Sequence, residues 1–146
     1  MQYDTRALGR LEITADKQFH FPEGLFAFEH LKHYALLPTK AESTFHWLQS
    51  LEEARLAFLV APMNAISATY QPAIFPSDMG DDWSLTKVEV WGIVTVPPGK
   101  PEQMTVNLQG PLLMNRKLKK GYQVVSDHPD HLVRVLVMDL VEKTGK

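Results

Sequence analysis

The sequence contains no cysteine. That absence removes disulfides, thiolate nucleophiles and cysteine-ligated zinc in one step, and it agrees with a reducing compartment. Long apolar runs are missing too. No window approaches the ~18 uninterrupted apolar residues of a membrane-spanning helix, and the opening "MQYDTRALGR" lacks the apolar stretch of a secretion signal. A cytoplasmic protein is expected. The chain also has no glycine-rich phosphate loop, no G-x-S-x-G nucleophile elbow and no H-E-x-x-H metal pair, so the strong enzyme signatures are absent.

What remains is ordinary globular material. The 146 residues are 45% hydrophobic and 22% charged, which suits one packed domain around a single core and leaves no room for a second. Residues 1–141 are assigned to that domain. The polar ending "EKTGK", 142–146, is set apart as a flexible tail.

Apolar residues recur with a period of two and are cut by Pro and Gly, as in short antiparallel strands. "MQYDT" and "RLEIT" form a first hairpin across residues 7–9. "QFHFPEGL" reads as a strand ended by Pro22 and turned at Glu23-Gly24, and "FEHLKH" as a single helical turn. Strands "YALLP", "FHWLQSL" and "LAFLVAP" follow. The last is apolar at nearly every position, which predicts burial on both faces. Residues 63–83 are irregular and broken by Pro62, Pro72 and Pro76, with a short helix capped by Ser77 expected after them. Around "PPGKPE", 88–96 should pair with 104–108; around "RKLKK", "PLLMN" should pair with "GYQVV". "HLVRVLVMDLV", 131–141, is assigned to a final strand on its Val-rich alternation. The fold class predicted is mainly β: a single-domain antiparallel β-sandwich or pseudo-barrel of about ten short strands, with one or two short helical turns.

The titratable groups point to no reaction centre. His30/His33 and His128/His131 both have H-x-x-H spacing, but neither pair has a third ligand at a convincing distance, and Pro129 disfavours a regular helix under the second. They are read as surface imidazoles. His20 and His46, inside apolar strands, are read as hydrogen-bonded structural residues, and Glu52/Glu53 as solvated turn charges. No catalytic residue, metal or cofactor is assigned.

One stretch invites a nucleic-acid reading: "PLLMNRKLKKGYQVV" places Arg116, Lys117, Lys119 and Lys120 together. The net charge is −2, from 15 basic and 17 acidic residues; without these four cations it would be −6. A β-protein that binds RNA pairs a basic stripe with exposed aromatics on which bases stack, and only Tyr122 stands near. The stretch is therefore read as a polar hairpin loop helped by Gly121. Direct RNA binding through 116–120 is the second reading.

Three blocks carry a resemblance. "HFPEGLFAFE" (20–29), "LQSLEEARLAFLVAP" (48–62) and "IVTVPPGKPEQMTVNLQGPLLMNRKLKKGYQVV" (93–125) stand in the order and spacing of the conserved blocks of the bacterial flagellar assembly factor FliW family, which the chain resembles over most of its length. The resemblance implies a binding protein and no enzyme. FliW-like proteins bind the carbon storage regulator CsrA, a repressor of flagellin translation, and they bind flagellin; the two bindings exclude each other. An acidic chain would be steered toward the basic RNA-binding surface of such a repressor. The residues assigned to partner contact are Phe26 and Phe28 after the first turn, and Tyr70, Ile74, Phe75, Asp78, Asp81 and Asp82 in the irregular loop, where large apolar groups and clustered acids are available to a partner. Asn107, Pro111 and Asn115 are assigned to holding turns and strands.

Overall fold

The computed structural model describes residues 1–72 and 88–144. Eleven strands form in chain order: β1 (Gln2–Thr5), β2 (Gly9–Glu12), β3 (Gln18–His20), β4 (His33–Pro38), β5 (His46–Ser50), β6 (Ala57–Pro62), β7 (Glu89–Thr95), β8 (Thr105–Val106), β9 (Leu112–Asn115), β10 (Lys120–Gln123) and β11 (Val135–Leu136). A helix, α1 (Val137–Thr144), follows the last of them. Short 3-10 turns occupy Ala15–Lys17, Met63–Ala65 and Pro101–Gln103.

Strands β3 to β7 form an antiparallel meander, each paired with the next. β9 and β10 form a hairpin whose strands find different partners: β9 pairs with the first half of β7, and β10 lies parallel to β3. The ring β3-β4-β5-β6-β7-β9-β10 is thereby closed, a seven-stranded barrel. Closure abolishes the free edges that an open meander would expose. The second half of β7 pairs with β8, and β8 with β11, so a small accessory ladder branches off the barrel wall. The hairpin β1–β2 forms a separate two-stranded sheet.

Alternation along the strands sorts the apolar residues into three clusters. Phe19, Phe21, Tyr34, Leu36, Leu48, Val60, Trp91, Leu112 and Met114 share the main cluster, which fills the barrel. Ala61, Val94, Val106, Leu108 and Val137 form a second, in which the outer face of β6 and β7 is covered by Met63, Ile66, β8 and α1. Ala35 and Leu37 on the outer face of β4 meet Ile13 and the first hairpin in a third. In β6, Phe58 and Val60 belong to the first cluster and Leu59 and Ala61 to the second, so this strand is covered on both faces as its sequence indicates.

Three local expectations are corrected. "FEHLKH" makes no helix: its first residue, Phe28, closes a tight turn with Leu25, Ala27 takes a φ of 73°, and His33 already belongs to β4. The segment 131–141 is a strand only at Val135–Leu136 and then becomes α1, which runs through Thr144. Val137 and Leu140, three apart, face the second cluster, a helical spacing hidden in a Val-rich run. Gly121 is not part of the β9–β10 turn. The positive φ there belongs to Lys119 (55°), with the Asn115 side chain accepting the Leu118 N–H at 3.0 Å. Gly121 lies inside β10, where a Cβ would stand 2.5 Å from the Phe21 ring. The short helix expected after Pro76 lies outside the described residues.

Two substitutions test this account. Gly121→Ala should destabilise the protein by about 1–3 kcal/mol, because the ring beneath it belongs to a filled interior; chemical denaturation reads the loss. Tyr34 is fully buried, its hydroxyl has no hydrogen-bond partner among the described residues, and burial pushes its pKa up to about 12. Tyr34→Phe should therefore leave stability unchanged or raise it by about 1 kcal/mol, since it removes a polar atom that gains nothing on folding.

Candidate partner-binding surface

Of the eight residues assigned to partner contact, the described residues include Phe26, Phe28 and Tyr70; Ile74, Phe75, Asp78, Asp81 and Asp82 lie outside them. Phe26 is exposed at the tip of the turn, where its backbone N–H is held by the Gln123 side chain at 2.8 Å. Phe28, two residues on, points inward and meets Phe58 edge to face at 5.6 Å. Tyr70 packs on the second cluster, and its hydroxyl donates to the Leu108 carbonyl at 2.7 Å; burial raises its pKa well above the ordinary value. Phe26 is thus available to a partner, and the other two brace the scaffold.

A larger exposed apolar surface comes from the segment read as a final strand. Leu132, Val133, Leu136, Met138 and Val141 are all exposed, as is Val125 just before them. The segment is fixed to the barrel from beneath. Leu108 donates its N–H to the Leu132 carbonyl, Val137 to that of Met104, and Ser126 to that of Gln109. The His131 ring is held by the Ser126 hydroxyl at 2.6 Å and lies between the rings of His128 (4.5 Å) and Tyr70 (4.6 Å).

β11 ends the sheet order, so its far edge is unpaired among the described residues. In an antiparallel ladder, hydrogen-bonded and non-bonded pairs alternate. Val137 bonds to Met104, so the neighbouring pair Leu136–Thr105 is the non-bonded one and the Leu136 backbone N–H faces that open edge. Among the described residues of the same segment, Asp127, Asp130 and Asp139 are exposed against a single exposed cation, Arg134. The surface is apolar, edged by carboxylates and open to backbone pairing. The excess of Leu and Val at both parities of 131–141, more than one face of a strand can bury, is the sequence signal that marks it.

Half of the basic stretch is engaged within the fold. Arg116 donates from Nε to Glu89 at 2.6 Å, and Glu89 also takes the Trp91 indole N–H at 2.9 Å. Burial opposes ionisation of Glu89, but these two hydrogen bonds and the Arg116 charge outweigh it and hold its pKa below the ordinary carboxylate value. Lys119 reaches the Asp16 carbonyl at 2.7 Å and lies over the Phe19 ring. Two of the four cations therefore tie the β9–β10 hairpin to its neighbours.

Other assigned side chains take structural positions. Asn107 accepts the N–H groups of Gln109 and Gly110 and so shapes the turn before β9. Glu52 clips two strands together by accepting the N–H groups of Lys32 and His33. His46 bonds the Thr44 carbonyl through Nδ1, whereas His20 stands on the outer face of β3 and its ring makes no hydrogen bond among the described residues, against expectation. His33 faces His20, and not His30, its partner in the H-x-x-H spacing.

Because the folded-state pKa of Glu89 is depressed, the stability it contributes is present above its unfolded pKa and is lost as pH falls through the folded one. Glu89→Gln should reduce stability at neutral pH and flatten the decline below about pH 4.5, a difference that denaturation across pH 3 to 7, roughly the carboxylate range, will show.

A family model described as FliW protein matches residues 2–137. A flagellar assembly factor FliW of Leptospira biflexa is 37% identical over 142 residues, covering 95% of this chain and 92% of that protein. One from Thermotoga maritima is 34% identical over 147 residues, covering 99% and 97%. A crystal structure of the flagellar assembly factor FliW superposes with a TM-score of 0.80 at 22% identity, covering 94% of this chain and 96% of that one, and it shares the fold.

Proposed function

The chain belongs to the FliW family of flagellar assembly factors, and from that premise we propose that it is a non-enzymatic cytoplasmic regulator working by partner exchange. It binds the translational repressor CsrA and flagellin in mutually exclusive complexes. Flagellin that accumulates titrates the factor away and leaves CsrA free to repress; flagellin that is exported releases the factor to antagonise CsrA.

Such a switch needs no reacting group. It needs two linked binding equilibria in which each partner lowers the apparent affinity of the other. The observation that carries the reading is the exposed apolar segment of β11 and α1 with its open strand edge and acidic border. Apolar side chains supply affinity and the edge supplies backbone pairing. The acids favour a basic partner such as an RNA-binding repressor and speed the encounter. Direct RNA binding through 116–120 is less well supported, because Arg116 and Lys119 are committed to Glu89 and to the Asp16 carbonyl.

Calorimetric titration with CsrA, repeated after saturation with flagellin, tests the proposal. Binding that flagellin abolishes is the expected result. The double variant Leu136→Asp, Met138→Asp should weaken the CsrA complex by at least about tenfold, or 1.4 kcal/mol, while the barrel stays folded. No binding of wild-type protein to either partner would overturn the exchange mechanism.

A further inference from the structure

On the outer face of the barrel three adjacent strands bring together groups that carry or acquire positive charge. His33 on β4 lies directly opposite His20 on β3, and His20 lies beside Lys120 on β10 across the parallel contact that closes the ring. The two imidazoles meet edge to face at 5.0 Å. All three residues are exposed, whereas their strand neighbours Phe19, Tyr34 and Gly121 are buried. Both rings and Lys119 line a shallow pocket of about 270 Å³ with Phe19 and Leu51.

The other charges around this row are already engaged. The Lys32 ammonium is held by the carbonyls of Pro22 and Glu29. Glu52 is held by the N–H groups of Lys32 and His33. From the turn that precedes β3, the Asp16 carboxylate takes the Thr14 hydroxyl and the Asp16 carbonyl takes Lys119; Lys17 adds a further cation beside them. Neither His ring nor the Lys120 ammonium has a hydrogen-bond partner among the described residues. Like charges on neighbouring strands repel. Partial burial, then His33, Lys120 and Lys32, lower the proton affinity of His20. A doubly charged anion above the row reverses that repulsion and satisfies donors from three strands at once.

We propose that the His33–His20–Lys120 row binds a tetrahedral oxyanion, a phosphate or sulfate group, and that the imidazoles must be protonated for it to do so. The pocket lined by the two imidazoles suits a single such group, with Lys120 outside that lining but beside His20 in the sheet. The Phe19 ring in its wall is buried and offers no platform on which a nucleic-acid base can stack. This site is independent of the apolar segment used above.

Sulfate is the first probe, because it keeps both charges across the histidine range while inorganic phosphate does not. The ring resonances of His20 and His33 are followed by NMR as sulfate is added at about pH 6 and about pH 8, with chloride at matched ionic strength as control. Both rings should respond, with affinity at least about tenfold higher at the lower pH. Lys120→Gln should weaken binding at both pH values, and His20→Gln with His33→Gln should remove the pH dependence, in proteins whose melting is unchanged. Inorganic phosphate should displace sulfate. A short single-stranded RNA that competes would identify the backbone phosphate as one source of the group; RNA that binds without displacing sulfate would identify free phosphate chemistry as what the row recognises. Silent histidines, an equal response to chloride, equal affinity at the two pH values, or undiminished binding by the double variant would each overturn the proposal.

Discussion

The barrel depends on one short parallel contact. Every other pair in the ring is antiparallel; between β3 and β10 the register amounts to the single pair His20–Lys120, reinforced by the His20 N–H on the Lys119 carbonyl at 2.9 Å. So little backbone pairing cannot hold a wall by itself. The seam is held from inside, where Phe21 fills the space that Gly121 leaves open, and from outside, where Lys119 crosses to the Asp16 carbonyl. Without it the meander and the β9–β10 hairpin would be an open sheet with two bare edges and an exposed face of aromatic and aliphatic side chains. The glycine is therefore a packing requirement, with its conformational freedom of no consequence at that position.

Around this closed interior, the features available for recognition are additions to the wall. The accessory ladder and α1 cover the outer face of β6 and β7, yet keep a second apolar set pointing away from the protein. The first hairpin covers β4. Beyond that hairpin, His33 at the start of β4, His20 on β3 and Lys120 on β10 are exposed and form the imidazole row. A scaffold whose interior is complete can vary these additions without disturbing its core.

Much of this was legible in the sequence where local chemistry decides the outcome. Alternation and Pro/Gly turns located the strands, and "PPGKPE" and "NRKLKK" marked two hairpins, because a turn is written in adjacent residues. Closure was not legible, since Phe21 and Gly121 are a hundred residues apart in the chain and nothing in either neighbourhood names the other. The run 131–141 misled because Val and Leu at every second position are also Val and Leu three and four apart; only the second cluster, which Val137 and Leu140 can cover as a helix, selects between them. Phe26 was singled out as a large apolar group after a turn, and it is exposed there. Phe28 and Tyr70 share that description, but contacts from distant strands draw them inward.

β7 lends its two halves to different neighbours on one edge: Glu89, Val90 and Trp91 pair with β9, and Val94 and Thr95 with β8. Gly92 lies at the fork, where a Cβ would come within 2.6 Å of Val106 and 2.7 Å of the Met63 sulfur. A branched ladder of this kind has no tolerance for a change of length. One residue inserted or deleted within the strand would exchange Trp91 and Ile93 with Val90 and Val94 across the wall, and would do so in three ladders together. Variation in length among such chains is thereby confined to the connections, and the spacing from Glu89 to Thr95 becomes the part of the chain least free to drift.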